Sequence, residues 1–144
     1  MPTKPSLTIR RRLNAPAARV WSAWTDPRML VQWFGPDGGP VVKAETDIRV
    51  GGRFNIVFHT EDGERHDVSG VYREVVAQEK LVFTWAWRST PERESLVTIA
   101  LKVDGDATVM TLTHEQFFDE AARDRHEYGW TGAVGKLEAW LAGG

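Results

Sequence analysis

From Val41 to about Gln116, apolar and polar residues alternate with a period of two, and glycine-bearing turns cut this stretch into segments. A period of two is the mark of strands that bury one face, so this part of the chain must form a sheet and the sheet must be covered by something else. Gly51-Gly52 separates VVKAETDIRV from RFNIVFHT and suits the positive φ angles of a tight hairpin turn. Asp62-Gly63 and Asp104-Gly105 mark two more hairpins, and the remaining strands fall at about 65–76, 79–88, 94–103 and 106–115. Residues 6–13, SLTIRRRL, alternate with Leu7, Ile9 and Leu13 on one face and add a strand ahead of these six.

Between the first strand and the rest, the period changes. In APAARVWSAW, Pro16 suits a first helical turn, and Val20, Trp21 and Trp24 fall at helical spacing. A second short helix has Asp26 as N-cap, Pro27 in its first turn, Met29, Leu30 and Trp33 on one face, and Gly35-Pro36 as its stop. The chain closes with a long helix from Asp119 as N-cap to Leu141, with Trp130, Val134, Leu137 and Leu141 in one apolar line. Strand, two helices, six strands and a long helix make an α+β fold, and one domain of residues 1–144 is expected.

Composition narrows the function. Eighteen Lys and Arg against 20 Asp and Glu give a net charge of −2, which lacks the basic excess of a general nucleic-acid binder. Arg10-Arg11-Arg12 is the one basic run, and alternation along a strand divides it between two faces. No cysteine is present, which removes thiol catalysis, disulfides and Cys-ligated metal. The first residues, MPTKPSLTIRRR, have no apolar signal core, and no run reaches membrane-spanning length, so a cytoplasmic location without membrane binding is the expectation. Seven Trp and six Phe stand out, so much of the core or of a cavity must be aromatic.

Those aromatics fall in phase. Leu81, Phe83, Trp85 and Trp87 share one face of their strand, as do Phe54, Ile56 and Phe58, and Val97, Ile99 and Leu101 with Met110, Leu112 and His114 continue it. The last helix offers fewer large side chains than this face. It also carries Gly129, Gly132 and Gly135, each costing up to about 1 kcal/mol relative to Ala in a helix interior. The expectation is space left at the wide end, with Trp33 and Trp130 at its mouth; the competing reading is that the aromatics simply fill the core.

The chain resembles the bacterial proteins related to the C-terminal domain of the activator of Hsp90 ATPase, within the START-like superfamily. The resemblance rests on Ala15-Pro16 before Val20-Trp21, on Thr25-Asp26-Pro27 with Trp33 and Gly35-Pro36, and on Asp47-Ile48-Arg49-Val50-Gly51-Gly52-Arg53-Phe54. It continues through Asp62-Gly63, Gly70-Val71-Tyr72-Arg73-Glu74-Val75-Val76, Leu81-Val82-Phe83-Thr84-Trp85 and Gly129-Trp130 before Leu137. It implies a helix-grip fold, a curved seven-stranded antiparallel sheet around the C-terminal helix, with two short helices after the first strand. The superfamily holds ligand carriers, cyclases and co-chaperone domains, so fold alone does not select a function. The eukaryotic activator carries a further N-terminal domain for which 144 residues leave no room, which ranks an Hsp90-type chaperone below a small molecule as partner.

Binding of a small apolar or aromatic molecule is therefore the leading expectation, with no cofactor. Trp33, Phe54, Phe58, Phe83, Trp85, Trp87 and Trp130 would supply stacking and area, and Tyr72, His114 and His126 would orient polar groups. Two other functions stay open: a cyclase- or hydrolase-like enzyme using His114 with Glu115 or His126 as acid and base, and a chaperone-related interaction module. Against the first, His114 reads foremost as a core histidine satisfied by a backbone carbonyl. If Asp62-Gly63 is a two-residue turn, His59 lies across from His66 and Glu61 across from Glu64. That set has metal-ligand chemistry but falls on the face opposite Phe54, Ile56 and Phe58, so it is read as a solvated patch and no metal is expected. Arg53, Asp67, Tyr72 and Arg73 are further rim candidates whose face depends on whether a bulge interrupts 64–76. No phosphate loop, nucleophile elbow or Glu-x-x-His pattern occurs. A homodimer through the outer sheet face is compatible with the sequence.

Overall fold

The computed structural model describes residues 4–143. The elements are β1 (Leu7–Leu13), α1 (Ala17–Thr25), α2 (Pro27–Trp33), β2 (Val41–Thr46), β3 (Arg53–His59), β4 (Arg65–Val76), β5 (Lys80–Trp87), β6 (Ser95–Asp104), β7 (Ala107–Glu115) and α3 (Glu120–Gly143). The strands form one seven-stranded antiparallel sheet in the order β1-β7-β6-β5-β4-β3-β2. Strands β2 to β7 are a simple meander. The chain segment between β1 and β2, which holds α1 and α2, therefore joins the two edges of the sheet. The expected α+β helix-grip architecture is what the chain adopts.

Local chemistry accounts for the helices. Asp26 ends α1 through its backbone N–H to the Ser22 carbonyl, and caps α2 through its side chain, which accepts from Arg28 N at 2.9 Å. Asp119 starts α3 in the same manner, with Oδ1 2.8 Å from Ala122 N. Trp130, Ala133, Val134, Leu137 and Leu141 of α3 are buried against the sheet. Arg19 fastens the far end: it donates to the Leu141 carbonyl at 3.1 Å and lies over the Trp140 ring.

Two hairpins depart from expectation. Gly51-Gly52 is not a two-residue turn. Strand β2 stops at Thr46, which pairs with Phe54, and the Gly51 N–H and Gly52 carbonyl bond instead to Tyr72 of β4. At the next hairpin, Thr60 N–H donates to the Glu64 carbonyl, and residues 61–63 form the loop, with Gly63 at φ +86°. This is the three-residue type whose last residue takes the left-handed conformation. It moves the register by one, so His66 pairs with Phe58 and not with His59, and His66 turns to the inner face. The postulated His59–His66 pair does not form, and no cluster of three or more metal-binding side chains occurs among the described residues. A bulge at Arg73 lets Tyr72 point inward while Val75 resumes the inner phase opposite Leu81.

The helix glycines leave less space than expected. A Cβ at Gly132 would stand 2.2 Å from the Pro36 carbonyl oxygen, whereas at Gly135 it would meet nothing within 4 Å. Gly132 is thus a close approach between α3 and the loop after α2. Lys136 secures the same loop by donating to the carbonyls of Phe34 and Asp37. Opposite outcomes are expected for two otherwise identical changes. Gly135→Ala should stabilise the fold by about 0.5–1 kcal/mol, and Gly132→Ala should destabilise it by about 1–3 kcal/mol through overpacking. Urea unfolding of the two variants checks this, and equal shifts would contradict the packing described.

Candidate functional site

Between the two short helices and the sheet the interior is nearly filled. The space enclosed by Phe54, Tyr72, Phe83 and Trp85 of the sheet with Trp24, Leu30 and Phe34 measures about 20 Å³, room for about one water molecule. The aromatic-filled core is the reading that the structure bears out here. A far larger space opens at the end of the sheet, where a groove of about 1080 Å³ runs between α3, the loop after α2 and the β3–β4 and β5–β6 ends. Its aromatic surface comes from Phe34, Phe58, His66, Trp85, Trp87 and Trp130, with His126 and Tyr128 from α3.

The rings form one connected array. Trp85 lies 5.1 Å from Trp130 and 5.4 Å from Trp87, Phe34 lies 5.8 Å from Phe58, and His66 stacks on Phe58 at 5.1 Å. Offset and edge-on pairs at these distances each add about 0.5–1.5 kcal/mol beyond area burial. The array therefore holds its shape without a guest.

Two hydrogen bonds lock α3 to the sheet at this end. Trp130 Nε1 of α3 donates to His114 Nδ1 of β7 at 2.9 Å. Reciprocally, Trp87 Nε1 of β5 donates to His126 Nε2 of α3 at 2.9 Å. An indole N–H only donates, so each partner nitrogen must be unprotonated. His114 thus carries its proton on Nε2, which donates to Ser95 Oγ at 2.7 Å, and Ser95 donates on to the Trp85 carbonyl. His126 is the opposite tautomer, with its Nδ1 proton donated to the Ala122 carbonyl at 2.7 Å. Burial pushes the pKa of both imidazoles down, that of His114 further because its side chain is fully enclosed and His126 is adjacent.

This arrangement bears directly on acid–base chemistry. Ser95 Oγ and His114 Nε2 stand at the separation of a nucleophile and its base. Yet His114 is 0% exposed, its free lone pair is taken by Trp130, and the Nε2 proton faces Ser95. The His114 and His126 rings approach to 5.1 Å, and both histidines have each nitrogen engaged by protein. Glu115 follows in the opposite strand phase and pairs with Leu96.

Of the residues singled out from the sequence, Phe58, Trp85, Trp87, His126 and Trp130 meet at the groove. Phe54, Tyr72 and Phe83 line the small interior space, where burial raises the Tyr72 phenol above its usual range. Trp33 is 1% exposed and donates to the Ala23 carbonyl, so it lies in the core and not at the mouth. Its place is taken by Phe34, because the chain leaves the helix at this residue (ψ 149°) and turns the next side chain toward the groove. Asp67 lines the groove as expected of a rim residue, accepts from Asn55 and stands near Arg65 and Arg88, while Arg53 and Arg73 are exposed on the sheet. Arg125 and Tyr128 of the rim carried no sequence signal, since they belong to the polar side of the helix.

A family model described as "Activator of Hsp90 ATPase homolog 1-like protein" matches residues 14–142. The chain belongs to this family. Solved structures of the same shape include the AHSA1 protein of Silicibacter pomeroyi, 29% identical, with a TM-score of 0.83 over 96% of this chain and 98% of that one. Protein CV1439 of Chromobacterium violaceum is 27% identical, with a TM-score of 0.85 over 94% and 96%. Protein NE0264 of Nitrosomonas europaea is 26% identical, with a TM-score of 0.80 over 95% and 94%. No curated protein matches the chain. Among the described residues, no helix is long and apolar enough to cross a membrane.

The two depressed histidines set a pH dependence. Unfolding returns each to an ordinary value near 6.5, so below that pH the unfolded chain binds more protons than the folded one. Stability is therefore full well above about pH 6.5 and falls on acidification, by up to about 1.4 kcal/mol per pH unit for each histidine. Urea titrations at pH 7.5, 6.5 and 5.5 should show the unfolding free energy declining slightly in the first interval and most of the loss in the last. A flat profile would mean that the imidazoles are not held neutral.

Proposed function

We propose that this protein binds a small apolar or aromatic molecule in the groove at the open end of the sheet, and does so as a carrier or sensor without turnover. The observation that supports it is the size and lining of the groove. At about 1080 Å³ it lies at the upper end of small-molecule sites, and it has an aromatic wall of Phe34, Phe58, Trp85, Trp87 and Trp130 beside a charged rim that includes Asp37, Glu64, Asp67, Arg65, Arg88 and Arg125. Engagement of both nitrogens of His114 and of His126 favours binding over acid–base catalysis, because neither imidazole offers a free site to a substrate.

Family membership keeps a chaperone-related interaction as the second reading.

Titration with 2-acetylnaphthalene, followed by calorimetry and tryptophan fluorescence, tests the groove. One saturable site is expected. Trp87→Ala should weaken binding about tenfold or more, the loss typical of an aromatic anchor, while Trp21→Ala, on α1 away from the groove, should leave it unchanged. Absence of binding, or equal affinity in the folded Trp87→Ala protein, would overturn the reading.

A further inference from the structure

This inference rests on the groove being a binding site and concerns what its ligand must carry. Every other indole N–H near the groove has an acceptor: Trp87 donates to His126, Trp130 to His114, Trp33 to the Ala23 carbonyl and Trp24 to Met110 Sδ. Trp85 Nε1 is the exception. Among the described residues it is the one buried side-chain polar atom without a hydrogen-bond partner. Its residue is 4% exposed, and it lies at the centre of the array, in contact with Trp87, Trp130, His114 and Phe34.

Leaving a buried donor unpaired is costly, and a protein that satisfies four other indoles has evident means to avoid that cost. Trp85 is also the one tryptophan that lines both the interior space and the groove, apart from Trp24 inside and Trp87 and Trp130 outside. The interior space is too small for anything beyond a single water. Nε1 itself is buried, so an organic acceptor reaches it only from the groove side and only where a neighbouring ring of the wall gives way. We infer that the ligand of this protein is an aromatic or apolar molecule bearing a hydrogen-bond acceptor oxygen, a carbonyl or its equivalent, which accepts from Trp85 Nε1 while the hydrocarbon part rests on Phe58, Trp87 and Trp130. Trp85 would thereby act as the polar selector within the aromatic wall of the groove, whose charged side chains stand at the rim, rejecting hydrocarbons of the same shape because they leave its N–H unpaired.

Two probes of matched shape separate this from simple apolar binding: 2-acetylnaphthalene, which carries a carbonyl oxygen, and 2-isopropenylnaphthalene, which has a CH₂ in its place. The ketone is expected to bind about tenfold more tightly than the alkene, the worth of one buried hydrogen bond. In the Trp85→Phe variant, which keeps an aromatic ring but has no N–H, that preference should vanish while the alkene binds as before. In ¹⁵N-labelled protein, the Trp85 indole resonance, identified by its loss in Trp85→Phe, should move downfield with the ketone and not with the alkene. Equal affinity of both probes for the unaltered protein would overturn the inference and leave the groove reading standing. A Trp85 N–H already bonded to a water that persists at saturating ketone would overturn it too. Failure of both probes to bind would sink both readings together.

Discussion

The N-terminal half of α3 is held over the open end of the sheet by two crossed hydrogen bonds, helix tryptophan to sheet histidine and sheet tryptophan to helix histidine. Each is buried or nearly so, and each replaces a contact with water by one between protein groups, a net gain of about 1 kcal/mol. Their larger effect is geometric. They place Trp87 and Trp130 on facing elements at fixed positions, fix both imidazole tautomers and exclude water from between them. Removing either partner would leave the other as an unpaired donor or acceptor, so the four residues act as one unit.

From this lock follows the division of the molecule into a filled part and an open part. Farther along α3, Val134, Leu137 and Leu141 are buried in the core. The loop from Phe34 to Asp37 is drawn toward the helix by Lys136 and by the absence of a side chain at Gly132. The groove is what remains between that loop, the helix and the strand ends. It is an exit from the core and not a chamber within it.

Elements whose signal is local were legible in the sequence. Asp26 and Asp119 read as helix caps and are caps; the period-two stretch reads as six strands and is six strands. What failed was register, which depends on turn geometry that dipeptides underdetermine. Asp62-Gly63 serves equally as the centre of a two-residue turn or as the end of a three-residue one, and the single-residue difference carries His66 from the outer face into the groove. At Asp104-Gly105 the turn centre is Gly105-Asp106, and the slip is an even number of residues, so no side chain changes face. The mouth was misassigned for a related reason. Helical spacing governs Trp33 but ends there, and Phe34, the first residue outside the helix, points where no periodic pattern could place it.

The groove rings are also core rings. Trp85, Trp130, Phe34 and Phe58 are each no more than 5% exposed, yet all four contribute to the groove wall. Sequence patterns that preserve packing will therefore preserve an aromatic groove whether or not the same molecule is bound, which is why a shared fold among relatives under 30% identical carries little about the ligand. Selectivity has to come from groups that packing does not require. On this chain those include charged rim side chains such as Glu64, Arg65, Arg88 and Arg125, with Tyr128, and, among the described residues, the one buried indole N–H that the core leaves unanswered. An N–H that contributed only to packing would be as well served by a phenylalanine, so the cost of burying it is intelligible only if something outside the chain accepts from it.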